Sequence, residues 1–227
     1  MRFGLVLLLA AVAVGQTPGK PAAPAMRTLT DSALGLTFSY PAEMTPTDPA
    51  AATELGKRIL YGDDADDAKK TKAGAGCIRT LLAVGTDPGR GQGMARLALF
   101  AIDLSCLPPK TVKNHKLMDQ TLQGLATQGN EMLGMTPLDE PAPYLLEGNH
   151  AFFASSQGAP VSPTALQSSQ DEVTATVAAE VLGQGERPVI LAWHLESNSA
   201  AMFNRLLACP VVLGTRPAEP LFPARVQ

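Results

Sequence analysis

The segment Glu172–Ser197, EVTATVAAEVLGQGERPVILAWHLES, contains two runs of strand-forming residues on either side of a glycine-containing connection. Two such runs joined in this way are typical of a β-hairpin. A turn centred on Gly185 places Val177 opposite Trp193. Because directly opposed residues project from the same side of a sheet, the pattern predicts an apolar face that contains Val177 and Trp193.

The same register gives the hairpin a polar face, formed by Thr174, Thr176, His194 and Glu196. It places Thr176 opposite His194 and Thr174 opposite Glu196. A histidine and a glutamate two residues apart on one strand face can bind a metal when a third ligand joins them. No HExxH motif or paired histidine supplies that ligand. We therefore predict a hydrogen-bonded, solvated strand face, and assign no catalytic residue, metal ligand or cofactor.

Further strand-like and helix-like runs surround this hairpin. The apolar periodicity predicts a long helix over Thr111–Gly129 and a final helix over Asn198–Ala208. The other predicted elements are helices at Asp48–Tyr61 and Asp64–Lys72, and strands at Leu34–Tyr40, Cys77–Thr86, Met94–Asp103, Tyr144–Leu146, Ala151–Gln157 and Val211–Leu213. Strands joined mostly as hairpins, with several helices, indicate an α+β fold: a single antiparallel sheet of about six to seven strands covered by helices.

The sequence Asp31–Pro41, DSALGLTFSYP, resembles the opening motif of the PsbP-like family, in which a short strand ending in Tyr-Pro begins an α/β/α sandwich. The order of elements at the end of the chain, with a strand around 190–196, a short helix around 200–207 and a last strand, is similar to that family's closing unit. The same fold occurs in DcrB-like exported lipoproteins and in a Ran-binding nuclear-transport protein. The resemblance implies a binding or scaffold role rather than an activity.

The first 15 residues have the pattern of a signal peptide. A short basic start is followed by the 12-residue apolar run Phe3–Val14, which is too short for an ordinary membrane-spanning helix. Small residues at Ala13 and Gly15 predict cleavage before Gln16, and a retained anchor is the alternative. After cleavage, no other segment is long and apolar enough to span a membrane. We expect a periplasmic or extracellular protein.

Proline-rich segments flank one predicted domain. Residues 16–26 form a Pro/Ala-rich tether and residues 215–227 a Pro-rich C-terminal tail, which leaves 27–214 as a single α+β domain. With 45% hydrophobic and 17% charged residues, the chain has a globular composition. Its formal net charge of −3 and the lack of a basic stripe give no support for a nucleic-acid partner.

The three cysteines gain interest from the predicted export, because disulfides persist in oxidising compartments. A hairpin turn between Gly91 and Gln92 places Cys77 opposite Cys106, which predicts a disulfide between them. Two free buried thiols are the alternative. Cys209 follows an apolar run and is expected to stay reduced and buried.

These patterns favour an exported, non-catalytic binding or scaffold domain of the cell envelope, with an envelope protein as its expected partner. The alternative is a small exported hydrolase or metal-dependent enzyme that uses the face of His194 and Glu196. The acidic run at 63–67 lacks the alternating Asp pattern of a calcium loop and is interpreted as a helix start.

Overall fold

The computed structural model describes residues 24–61, 76–86, 93–131, 135–158, 172–181 and 188–222. The predicted signal peptide, most of the tether, the acidic run and the helix predicted at Asp64–Lys72 lie outside these ranges. The described strands are β1 Met26–Asp31, β2 Leu36–Pro41, β3 Thr45–Pro46, β4 Ile78–Gly85, β5 Ala95–Asp103, β6 Thr136–Pro137, β7 Ala142–Leu146, β8 Asn149–Gly158, β9 Glu172–Val181, β10 Val189–Ser197, β11 Pro210–Leu213 and β12 Glu219–Pro220. The described helices are α1 Pro49–Tyr61, α2 Pro109–Val112, α3 His115–Glu131 and α4 Ala200–Leu207, and a 3₁₀ turn spans Leu104–Cys106.

The described strands form two antiparallel sheets. The small sheet has the order β1-β2-β11-β12, and the large sheet has the order β3-β4-β5-β10-β9-β8-β6, with β7 also paired to β8. The predicted single sheet covered by helices, and with it the α/β/α sandwich, is wrong. The strand that ends in Tyr40-Pro41 joins the small sheet, where its apolar residues Leu36 and Phe38 are fully buried. Apolar alternation shows which face of a strand is buried, but it does not identify the neighbouring strand.

The large sheet is the central layer of the molecule. One of its faces packs against the small sheet and α4, in a core that includes Trp193, Leu99, Phe38, Val211 and Leu206. The opposite face packs against α1 and α3, in a second core that includes Phe100, Ile190, Ile59 and Leu122. Both faces of the large sheet are therefore covered over much of their area.

The predicted register of the β9–β10 hairpin is confirmed. Trp193 pairs with Val177, His194 with Thr176, and Glu196 with Thr174. Trp193 lies on the apolar face and has no exposed surface. The alternating pattern of the two strands and the position of the glycine turn are sufficient to fix this register.

The predicted disulfide partners are confirmed, although the predicted register between them is wrong. Cys77 and Cys106 are bonded, with Cα atoms 5.8 Å apart. The β4–β5 ladder pairs Ile78 with Ile102, so the two cysteines are not directly opposed. The 3₁₀ turn that follows Asp103 brings Cys106 back to Cys77 instead, and the Oδ1 atom of Asp103 caps this turn by accepting a hydrogen bond from the Ser105 amide at 2.7 Å.

The third cysteine is free and buried, as expected. Burial raises the pKa of the Cys209 thiol to about 12. A thiol with so high a pKa carries little thiolate at neutral pH, and the thiolate is the reactive form.

The described part of the predicted C-terminal tail packs onto the domain. Leu221 is fully buried, and its carbonyl oxygen accepts a hydrogen bond from the Tyr144 hydroxyl at 2.8 Å. The ring of Phe222 stacks on Phe153 with their centroids 3.9 Å apart. Pro220 is tolerated because β12 lies at the edge of the small sheet. The fold therefore includes residues as far as Phe222.

A two-residue turn joins β7 to β8. Glu147 and Gly148 both have left-handed backbone conformations, with φ of 51° and 73°. The Glu147 amide donates a hydrogen bond to the Glu219 carboxylate at 3.1 Å, which ties the turn to the C-terminal segment. Burial and the nearby charge of Glu219 raise the pKa of the Glu147 carboxyl, against an opposing effect of Arg216.

Candidate binding site

Three of the four side chains of the predicted polar face, Thr176, His194 and Glu196, form a connected group. The Nδ1 atom of His194 lies 3.0 Å from the Thr176 hydroxyl, and its Nε2 atom lies 3.1 Å from a carboxylate oxygen of Glu196. A guanidinium nitrogen of Arg96 donates to the other Glu196 oxygen at 3.4 Å. Sequence reasoning missed Arg96, which pairs with Glu196 across the β5–β10 ladder. Arg96 lies within the predicted strand Met94–Asp103, but its partner could not be predicted because the sequence does not show which strand lies beside that one.

This polar face is not solvated, so that part of the prediction is wrong. Thr174 and Thr176 have no exposed surface, while His194 is 1% and Glu196 8% exposed. Helix α3 packs across β8 and β9, and the sulfur of Met135 accepts a hydrogen bond from the Thr174 hydroxyl at 3.4 Å. Buried polar groups require hydrogen-bond partners; Thr176, His194 and Glu196 supply them to one another, and Met135 supplies one to Thr174.

The ionisation of Glu196 reflects its partners more than its burial. Burial alone would raise the pKa of this carboxyl, but the hydrogen bond and charge of His194 and the charge of Arg96 outweigh it, and the pKa lies below its ordinary value. The carboxylate is therefore ionised at neutral pH. It completes a buried chain of hydrogen bonds from Thr176 to Arg96.

Replacing Glu196 by glutamine is expected to lower the free energy of unfolding at neutral pH by about 1–3 kcal/mol, because a buried charge-assisted contact is lost. A lowered pKa stabilises the folded state above the ordinary glutamate pKa, and this stabilisation is lost as the pH falls through the lower folded-state value. The difference between wild type and Glu196→Gln should therefore shrink in acid. Urea melts of both proteins across the acidic range measure it, and a difference that grows on acidification would contradict the assignment.

The chemistry open to the polar face is limited by these contacts. Both ring nitrogens of His194 are engaged, by Thr176 and by Glu196. In the parts of the chain that the structure describes, no group of three or more His, Cys, Asp or Glu side chains could hold a metal ion. The contacts assign the polar face a structural role, in which it joins β5, β9 and β10.

A cleft of about 450 Å³ lies beside this buried group, between α3 and the strand β8. One wall is formed by Thr127 of α3, and the opposite wall by residues 137–141. The floor is formed by Ala154, Ser155 and Ser156 of β8. Across the β8–β9 ladder, Ala154 pairs with Thr176 and Ser156 with Thr174, so the floor adjoins the polar face.

The wall opposite α3 is a short arch, Leu138–Pro141, that connects β6 to β7. Pro137 pairs with Ser156 at the end of β6, and the amide of Leu138 donates to the Ser155 carbonyl at 2.9 Å. The chain rejoins β8 at Ala142, which pairs with Phe153. Prolines restrict the backbone at positions 137 and 141, on either side of Asp139 and Glu140.

Polar groups of two kinds line the cleft. Asp139 and Glu140 contribute carboxylates from the arch, and Thr127 and Ser156 contribute hydroxyl groups, whereas the Ser155 side chain belongs to the opposite face of the sheet. Sequence reasoning missed the cleft. Its residues come from three separate segments, so no local spacing could have revealed it.

No protein-family model, curated protein or solved structure matches this chain. The resemblance of Asp31–Pro41 to the PsbP-like opening motif therefore stays a prediction. Within the described ranges, no helix is both long and apolar enough to cross a membrane.

Proposed function

We propose that the protein is an exported, non-catalytic binding domain of the cell envelope, and that the cleft is its binding site. The observation that carries this proposal is a cavity of about 450 Å³ lined by carboxylates, hydroxyls and apolar side chains. Small-molecule sites typically enclose roughly 300–1,000 Å³, with a few polar groups among apolar ones. The cleft has the size and mixture of groups that such sites use.

Export is supported by two independent features. The first 15 residues have the composition of a signal peptide, and the Cys77–Cys106 bond suits an oxidising compartment. The ligand is then expected in the periplasm or outside the cell, either free or carried by an envelope protein.

The alternative, a hydrolase or metal-dependent enzyme that uses His194 and Glu196, has weaker support. A catalytic base must lie within hydrogen-bond reach of a substrate proton. His194 is 1% exposed and Thr176 is fully buried. Both ring nitrogens of the histidine have partners within the protein, so the buried group favours stability over catalysis.

Blocking the cleft tests the proposal. Thr127→Trp places an indole ring against the cleft, whereas Gln120→Trp adds the same ring to an exposed position of α3 about two turns away. We expect fractions of the native envelope extract to raise the melting temperature of wild type and of Gln120→Trp, but not of Thr127→Trp. Equal shifts in all three proteins, or no shift with any fraction, would contradict a binding role for the cleft.

A further inference from the structure

We infer that the cleft binds an aliphatic amine, meaning a ligand that carries a primary ammonium group on a short methylene chain. This inference rests on the proposed function, because it names the ligand class of the same cleft. It follows from the charge of the arch, the hydroxyls of Thr127 and Ser156 and the apolar surface between them.

The formal charge of the described lining of the cleft is negative. Asp139 and Glu140 bring two carboxylates to one wall, and the described lining contains no lysine or arginine. Ionised carboxylates only accept hydrogen bonds, whereas an ammonium group offers three donors and no acceptor. A cationic donor therefore complements this wall, and an anionic ligand would be repelled by it.

The hydroxyls continue this acceptor surface across the cleft. Ser156 is 2% exposed, so its position on β8 is fixed by packing. The Thr127 hydroxyl donates to the Gln123 and Gly124 carbonyls at 3.1 and 3.0 Å, which leaves its oxygen to act as an acceptor. The hydroxyls of Ser156 and Thr127 and the carboxylates of the arch thus offer an ammonium group acceptors from more than one side of the cleft.

The apolar part of the lining suits a methylene chain. Leu138 is 48% exposed at the rim of the cleft, and Pro137, Pro141 and Ala154 continue the apolar surface inward. Amines of the lysine type place their methylene groups along apolar surface while the charged end meets polar groups. A bare divalent cation would not use this surface, and calcium requires six to eight oxygen ligands.

Isotope-labelled full-length mature protein titrated with cadaverine, an aliphatic diamine, tests the inference by NMR. We expect amide shifts confined to residues 138–140, 154–156 and the end of α3, and weaker binding at high salt. Pentanediol, which replaces the ammonium groups by hydroxyls, should bind at least about tenfold more weakly, because charge-assisted hydrogen bonds are lost. The paired change Asp139→Asn with Glu140→Gln should weaken cadaverine binding by a similar factor.

A matched control removes the same two charges elsewhere. Glu54→Gln with Asp119→Asn changes positions of α1 and α3 that do not line the cleft, and cadaverine affinity should be retained. A capped Ala-Lys-Ala peptide distinguishes the source of the amine: tighter binding of the peptide points to a lysine side chain of an envelope protein, and tighter binding of cadaverine to a free amine. Either result supports the inference.

Three outcomes would overturn it. These are equal binding of cadaverine and pentanediol, tighter binding of the dianion glutarate, and unchanged cadaverine affinity after removal of the Asp139 and Glu140 charges. If envelope fractions still shift wild type but not Thr127→Trp, the cleft remains a binding site and only the amine class is wrong. If no fraction distinguishes these proteins either, the proposed function fails as well.

Discussion

Replacing Trp193 by alanine is expected to lower the free energy of unfolding by about 3–5 kcal/mol. The indole is fully buried in the core between the two sheets. Leu99 and Val177 pair with it on either side in the large sheet, and Phe38 of the small sheet meets it edge-on with ring centroids 6.2 Å apart. Alanine would leave a cavity that both sheets line, and two hydrogen-bonded sheets can collapse into it only partially.

Urea melts of wild type, Trp193→Ala and Trp193→Phe measure this effect. Phenylalanine keeps an aromatic ring in the core and removes the indole N–H, which has no hydrogen-bond partner among the described residues. We expect Trp193→Phe to lose much less stability than Trp193→Ala. A loss below about 1 kcal/mol for the alanine variant would mean that Trp193 does not fill the core between the sheets.

Removing the disulfide is expected to cost about 3–4 kcal/mol of unfolding free energy in the chain-entropy model. The bond joins residues 29 positions apart and closes the β4–β5 loop. Without it, the unfolded chain gains conformations that the bonded chain lacks. Paired replacement of Cys77 and Cys106 by alanine avoids leaving a single reactive thiol, and reductant should then have no further effect on stability.

Non-reducing peptide mapping of exported protein checks the pairing independently. We expect the Cys77 and Cys106 peptides to be linked, and Cys209 to be alkylated without reductant once the protein is unfolded. Cys209→Ala provides the matched control, because it removes a thiol and leaves the linked peptides unchanged. Alkylation of Cys77 and Cys106 without reductant, or a bond from Cys209 to either, would contradict both the pairing and the oxidising compartment.

Several local features follow from the sequence because their causes are local. A glycine turn and a period of two fix which residues face one another in a hairpin, so Trp193 with Val177 and His194 with Thr176 could be predicted. The two-residue turn at Glu147 and Gly148 likewise depends on residues that are adjacent in the sequence. The Cys77–Cys106 pair was found with the wrong register, because a β-bulge between Thr80 and Leu82 and a 3₁₀ turn lie between the cysteines.

The sequence alone determined the register of the β9–β10 hairpin, the composition of its two faces and the choice of disulfide partners. Only the tertiary structure decided that β2 belongs to a second sheet, that His194 is buried, and that Arg96 reaches Glu196. The cleft belongs to this second group, since its residues come from α3, the arch and β8. The physical reason is that spacing along a strand sets side-chain direction, whereas the neighbour of each face is chosen by the packing of the whole chain.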